Sequence, residues 1–254
     1  MTKLHTLLLS GSIALGAMIG QPSAASAQVQ NILLVHGANV DGTTWRDVYD
    51  RLTADDYMVT VVQLPLTSVE DDVAAVQRNL DVQNGPVLLV GHSYGGVVIS
   101  EVGVDPDVKG LVYIAAFQPD TGESGSSLLA STSTDFTPDV LEVFEDGHYL
   151  VKEEVFMSLV GNGLSEDDAT FVARSQAMSN TAILAHEIDA AAWREKPSWS
   201  AIATQDRTIP PELQRRMSER AGSTIVEIEN GHMLPMTSPD DVAELIREAA
   251  EAVE

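Results

Sequence analysis

The chain of 254 residues contains no cysteine, so no disulfide can staple it and its stability must come from a packed core. A chain of this length buries enough surface on folding for that to suffice. Positive charge is scarce: 14 Lys and Arg stand against 38 Asp and Glu, a formal net charge of −24. So electronegative a surface repels phosphate backbones and anionic headgroups, which argues against nucleic acid or a membrane as partner and otherwise reads as a solvated, soluble face. Phosphate-binding loops are missing too, since neither G-x-x-x-x-G-K nor G-x-G-x-x-G follows any apolar run. There is no internal repeat, and beyond the first residues no apolar stretch is long enough to span a bilayer.

What remains is a composition of 44% apolar and 20% charged residues, that of one globular domain of ordinary α/β size. The N-terminal stretch MTKLHTLLLSGSIALGAMIGQPSAASAQ combines an early Lys3, an apolar run from Leu7 to Ile19 and small residues ending at Ala27. This is the layout of a secretory signal, interrupted by Gly11, Gly16 and Gly20 and short for an anchor. Residues 1–27 are expected to be removed, leaving 28–254 as an exported domain, periplasmic or secreted.

After the leader, short apolar runs alternate with helical patterns, as in a mostly parallel, doubly wound sheet with helices on both faces. The runs are NILLVH (31–36), MVTVVQL (58–64), GPVLLVGH (85–92), VKGLVYIAAF (108–117), SWSAIAT (198–204) and STIVEIE (223–229), and their Val and Ile content suits strands covered on both sides. Between them, TTWRDVYDRLTADD and SVEDDVAAVQRNLDVQ space apolar residues helically, the second with Ser68 three positions before Asp71. SPDDVAELIREAAEAVE has Pro239 suited to a first helical position and acidic residues near the positive end of the helix dipole. The stretch of about 118–197 breaks the alternation and is too long for a simple connection. It holds a hairpin signal, Asp146-Gly147 in VLEVFEDGHYLVKEE, and a capped helix, SEDDATFVARSQAM. It reads as a small inserted cap, the place where substrate choice is expected to lie.

GHSYGG fits G-x-S-x-G centred on Ser93, with VLLV before it as a strand and GVVISEVGV after it as a helix. A nucleophile at so sharp a turn has a strained backbone, and small neighbours let the chain pass closely on both sides. A serine hydroxyl needs a base, and the base an orienting acid; downstream of such an elbow they follow in the order acid, histidine. Of the six histidines, His5 belongs to the leader, His36 and His92 sit in strand-end turns where backbone contacts are the expected role, and His148 and His186 lie in or beside the cap. His232, in ENGHMLPM after the last strand, is the candidate base. Asp206, in AIATQDRTIPPELQ, is the candidate acid, with Asp120 of FQPDTGE as its rival. The oxyanion of an acyl-transfer intermediate needs two donors. The Tyr94 amide is the first; the second is expected from VHGANVDGTTW, where Gly37 would let the chain turn the Ala38 amide, or failing that Asn39, into the site.

With HGA, GHSYGG, QDRTIP and NGHM in this order, the chain resembles the α/β-hydrolases over its whole length after the leader. HGANVDGTTW, DRTIPPELQRRM and the hairpin-containing cap resemble the branch of plant methyl-ester esterases and hydroxynitrile lyases, with bacterial ester hydrolases similar to it. The resemblance implies a serine carboxylesterase that needs no cofactor and no metal and acts on a small-molecule ester. In the lyases a lysine follows the catalytic histidine and a threonine follows the histidine of the first loop; here those positions are Met233 and Gly37, which favours hydrolysis. A lactonase or amidase with the same triad, and a ligand-binding protein that has kept the fold, are the alternatives. Oligomeric state is open, a homodimer among the options.

Overall fold

The computed structural model describes Met1 and residues 29–253, so the expected signal lies outside the described residues. Strands β1 (Asn31–Val35), β2 (Met58–Val62), β3 (Val87–His92) and β4 (Val108–Ile114) come first along the chain. β5 (Leu141–Val143), β6 (His148–Val151) and β7 (Ser179–Asn180) follow, then β8 (Ser198–Ala203) and β9 (Thr224–Ile228). The main sheet has six strands in the order β2-β1-β3-β4-β8-β9, and every pairing in it is parallel. The chain goes from β1 to β2 on one side and from β3 onward on the other, so strand order reverses between β1 and β3. In an open sheet of this kind the crevice for a ligand opens at the carboxyl ends of the strands at that reversal.

Alternation along the central strands explains their unbroken apolar runs. Leu33, Val35, Leu89 and Leu111 face one core, packed on by the helices Val69–Leu80, Gly95–Val102 and Pro211–Ala221. Ile32, Leu34, Leu88, Val90 and Val112 face the other, closed by Arg46–Ala54 and Pro239–Ala252. The outer strands differ from the expectation of cover on both sides: β2 and β9 are largely half-buried or exposed, because each has a neighbour on one edge only. Helix ends follow local chemistry. The Ser68 hydroxyl accepts from the Asp71 amide, Pro239 opens the last helix, and Ser165 accepts from the Asp168 amide to start Glu166–Arg174.

Between β4 and β8 the chain builds a second, three-stranded sheet in the order β5-β6-β7. β5 and β6 form the antiparallel hairpin expected from Asp146-Gly147, with Gly147 at φ 84°. β7, two residues long, carries no sequence signal of its own. This segment has its own apolar cluster, Val151, Phe156, Leu159, Val160 and Val172, and it packs onto Val40 and Met233 from loops of the main domain. Among the described residues no helix is long and apolar enough to cross a membrane.

Candidate active site

Ser93 stands directly after β3, and its φ of 54° puts it in the left-handed region that side chains other than glycine rarely adopt. The turn is fixed on both sides. The Ser93 amide donates to Ile114 O at 3.2 Å, and its carbonyl accepts from the Gly96 and Phe117 amides, each at 3.1 Å. The neighbouring glycines are needed for space: a Cβ on Gly91 would lie 2.6 Å from Gly95 O, one on Gly95 2.6 Å from Val35 O, and one on Gly96 2.0 Å from Phe117 O. Any side chain at these positions would push the strand and the following helix apart, which is the physical content of the G-x-S-x-G-G spacing.

His232, on the loop between β9 and the last helix, reaches Ser93 Oγ with Nε2 at 2.8 Å and Asp206 Oδ2 with Nδ1 at 2.7 Å. With Nδ1 facing a carboxylate, the tautomer protonated there leaves the Nε2 lone pair for the Ser93 hydroxyl proton. Both partners are buried, and so is Ser93, at 8% exposure. Asp206 is fully satisfied. Its Oδ1 accepts from the Thr208 amide at 2.7 Å and the Ile209 amide at 3.0 Å, and its Oδ2 also accepts from Gln214 Nε2 at 2.7 Å.

Gln214 is a contributor that the sequence does not reveal. From the helix Pro211–Ala221 it donates to Asp206 and to Ile209 O, and accepts from the Ala203 amide, tying the acid to the end of β8. Its place on the buried helix face is legible from periodicity; its direction toward a carboxylate in the preceding turn is not. Asp120 lies apart from this chain of bonds. It pairs with Arg194, whose Nε donates at 2.7 Å, and that bond holds its carboxyl below the ordinary range.

The two strand-end histidines make backbone contacts. His36 accepts from the Leu64 amide through Nε2 at 3.0 Å, which leaves Nδ1 to donate to Gly37 O at 2.8 Å. His92 donates from Nε2 to the backbone carbonyl of His232 at 3.0 Å, and the two rings lie 4.9 Å apart. Complete burial, reinforced by the neighbouring His232, lowers the His92 pKa to about 3, so it stays neutral beside the ring that must gain a proton. His148 pairs with Asp146, and His186 with Glu70 and Glu101.

Among the described residues neither the Ala38 nor the Tyr94 amide donates to a protein group. Asn39, the alternative donor, is engaged elsewhere: its amide donates to Ser179 Oγ at 2.9 Å and its side chain to Tyr149 O at 3.1 Å. The loop geometry corrects one expectation. The left-handed residue is Asn39, at φ 58°, a conformation asparagine tolerates. Gly37 serves instead to let the loop approach the elbow, since a Cβ there would lie 2.8 Å from Ser93 Cβ.

Over this cluster lies a pocket of about 30 Å³ walled by Ala38, Phe117, Leu129, Tyr149, Leu184 and Met233, among others, with no Asp, Glu, Lys or Arg in its lining. Met233, fully buried, presents a thioether where a lyase would carry a cation. Among the described residues no group of His, Cys, Asp and Glu is placed to hold a metal ion. The arrangement can pass a proton from Ser93 to His232, balance the imidazolium with Asp206, and offer two amides to a nascent oxyanion in an uncharged pocket.

Comparisons with known proteins agree with this architecture. The chain is 27% identical over 248 residues to the "Alpha/beta hydrolase nvfD" of Aspergillus novofumigatus, covering 88% of this chain and 98% of that protein. It is 29% identical over 126 residues to "Methylesterase 8" of Arabidopsis thaliana, 43% of this chain and 46% of that one. Among solved structures it is similar to a pyrethroid hydrolase from Sphingobium faniae, with TM-score 0.74, 23% identity, and coverage of 88% of this chain and 98% of that one. Residues 32–245 match the alpha/beta hydrolase family model, and with the parallel sheet and the elbow that carries Ser93, the chain belongs to the α/β-hydrolase family.

Proposed function

We propose that the protein hydrolyses small, uncharged carboxylic esters through an acyl-serine intermediate. One observation carries the reading: the hydrogen-bonded series Ser93–His232–Asp206 opens into an uncharged pocket beside two amides that have no acceptor among the described residues. The names of the plant methylesterase and the bacterial pyrethroid hydrolase it is similar to support it.

In this mechanism His232 Nε2 takes the Ser93 proton as Oγ attacks the ester carbonyl, and the carbonyl electron pair moves onto oxygen. The Ala38 and Tyr94 amides hold that oxyanion, each worth on the order of 3 kcal/mol to the transition state. Collapse expels the alcohol, which His232 protonates. A water molecule then gives its proton to His232, attacks the acyl-serine, and releases the acid as the proton returns to Ser93. Asp206 keeps the ring in register and balances its charge throughout. Neither metal nor cofactor enters any step. The leader on residues 1–27 supports an exported site of action, and the acidic surface argues against nucleic-acid and membrane partners.

The test is a panel of chromogenic esters of graded acyl length together with a lactone, an aryl amide and a cyanohydrin. Ester turnover that Ser93→Ala abolishes, in a variant with unchanged circular dichroism, is the expected result. Cyanohydrin cleavage without ester hydrolysis would replace this reading with the lyase one.

A further inference from the structure

A second concavity lies on the outer side of the pocket wall. It has a volume of about 620 Å³, against about 30 Å³ around Ser93. The two spaces share Leu129, Phe136 and Leu184, so those side chains form a common partition. None of the three is fully buried, and each packs against a core cluster. Pro138, Leu141 and Val143 make the outer apolar wall, and the remaining lining is chiefly hydroxyl-bearing, Thr137 and Thr181 among it. No Asp, Glu, Lys or Arg lines this groove, in a chain where 20% of residues are charged and the net charge is −24. A surface of that composition binds neither anions nor cations well, but it suits a neutral apolar chain.

We infer that this groove is the binding site for a long, uncharged, apolar arm of the substrate, with Leu129, Phe136 and Leu184 as the gate between it and Ser93. The inference rests on the ester-hydrolase reading and narrows it. The space around Ser93 is of the order of one or two water-sized groups, so the arm enclosed there is as small as an acetyl or methyl group. The arm on the other side of the ester linkage extends through the partition into the groove. The substrates are therefore esters of unequal arms, small on one side and hydrocarbon-like on the other.

Two ester series test this, one lengthening the acyl chain of methyl esters and one lengthening the alkyl alcohol of acetates. In one of them kcat/KM should rise about fourfold per methylene, the equivalent of burying one CH₂, and fall in the other as the enclosed arm outgrows its space. Val143→Asp puts a carboxylate into the groove at a residue that is 54% exposed and lines only the groove, so folding should be unaffected. This variant should flatten that rise, losing about tenfold or more in kcat/KM on the longest ester of the rising series relative to the shortest. No rise with length in either series, or an unchanged long-arm rate in Val143→Asp, overturns the inference. A binding measurement separates it from the reaction itself. Calorimetric titration of the Ser93→Ala protein with octyl acetate should show binding that Val143→Asp weakens. Equal affinity in the two overturns the groove assignment; groove-dependent binding in a protein whose parent hydrolyses no ester overturns only the reaction.

Discussion

The backbone amide of Asn39 donates to the hydroxyl of Ser179, 140 positions away along the chain, at 2.9 Å. Asn39 follows Ala38, the proposed second oxyanion donor, and Ser179 belongs to β7 of the small second sheet. Asn39 also donates from its side chain to Tyr149 O on β6. The loop that carries the proposed oxyanion donor is thus held in place by the small second sheet. β7 is anchored in turn to the main domain, where the Asn180 amide donates to Leu66 O at 2.8 Å.

Ser179→Ala removes the acceptor and leaves a buried amide unsatisfied, a loss of about 1–3 kcal/mol. Because the affected residue adjoins the oxyanion donor, kcat should fall roughly tenfold or more. KM should change little, since Ser179 does not line the pocket. Steady-state kinetics on a short ester check this. A variant that loses thermal stability while keeping kcat would show the tie to be structural alone.

Ser93→Ala, His232→Ala and Asp206→Asn should each reduce kcat by roughly 10⁴-fold or more, and the double variants should be hardly worse than the singles, because the three act as one unit. Asp120→Asn is the matched control. Its bond to Arg194 is an ion pair at the surface, so activity should be unchanged and stability altered by less than about 1 kcal/mol. Loss of turnover in Asp120→Asn with retention in Asp206→Asn would reverse the assignment of the acid.

The histidine loop offers a separate check. His92 Nε2 donates to the His232 carbonyl in a buried setting. His92→Phe keeps an aromatic ring but removes that bond, leaving the carbonyl with the Leu234 amide at 3.0 Å. Stability should drop by about 0.5–1.5 kcal/mol, the net worth of one hydrogen bond, and kcat should fall as His232 loses its register. Comparison of chemical denaturation with kcat separates the two effects.

What could be read in advance and what could not divide along physical lines. The central strands are legible because burial on both faces writes itself as unbroken apolar runs, as in Val87–Val90. The elbow is legible because three close backbone approaches leave no room for a Cβ at Gly91, Gly95 and Gly96. Ser93, Asp206 and His232 follow β3, β8 and β9 in the order the elbow requires, but chain order also admits Asp120 after β4, and only the fold separates the two acids. Edge exposure of β2 and β9 depends on strand order, which no single run encodes. Ser179 and the left-handed Asn39 act through a long-range hydrogen bond and Gln214 through bonds to the preceding turn and strand end, and a lone polar residue in a helix or loop carries no mark of its partner. The outer groove is assembled from two stretches, residues 126–143 and 181–184, each unremarkable as sequence.

Asp72 provides the last prediction, on pH. It is completely buried, accepting from Tyr94 Oη at 2.7 Å and from the Leu66 amide at 2.8 Å. Tyr94 carries the first proposed oxyanion amide, so this carboxylate braces the residue next to the nucleophile. Burial outweighs those two bonds and raises the Asp72 pKa from 3.8 to about 6. The folded chain therefore binds this proton more tightly than the unfolded chain. Below the unfolded pKa both states are protonated and the group contributes no pH dependence. As pH rises toward the folded pKa, the unfolded state loses its proton first and is favoured, so stability falls. Above the folded pKa the full penalty is present, of the order of 3 kcal/mol. Asp72→Asn cannot ionise. It gives up one good acceptor, a pH-independent loss of about 1–2 kcal/mol, but it escapes the penalty. In urea denaturation across about pH 4 to 7, the variant should gain on the parent as pH rises, with most of the change between the two pKa values. A stability difference that stays constant over that range would mean that Asp72 ionises in the folded protein as it does in water.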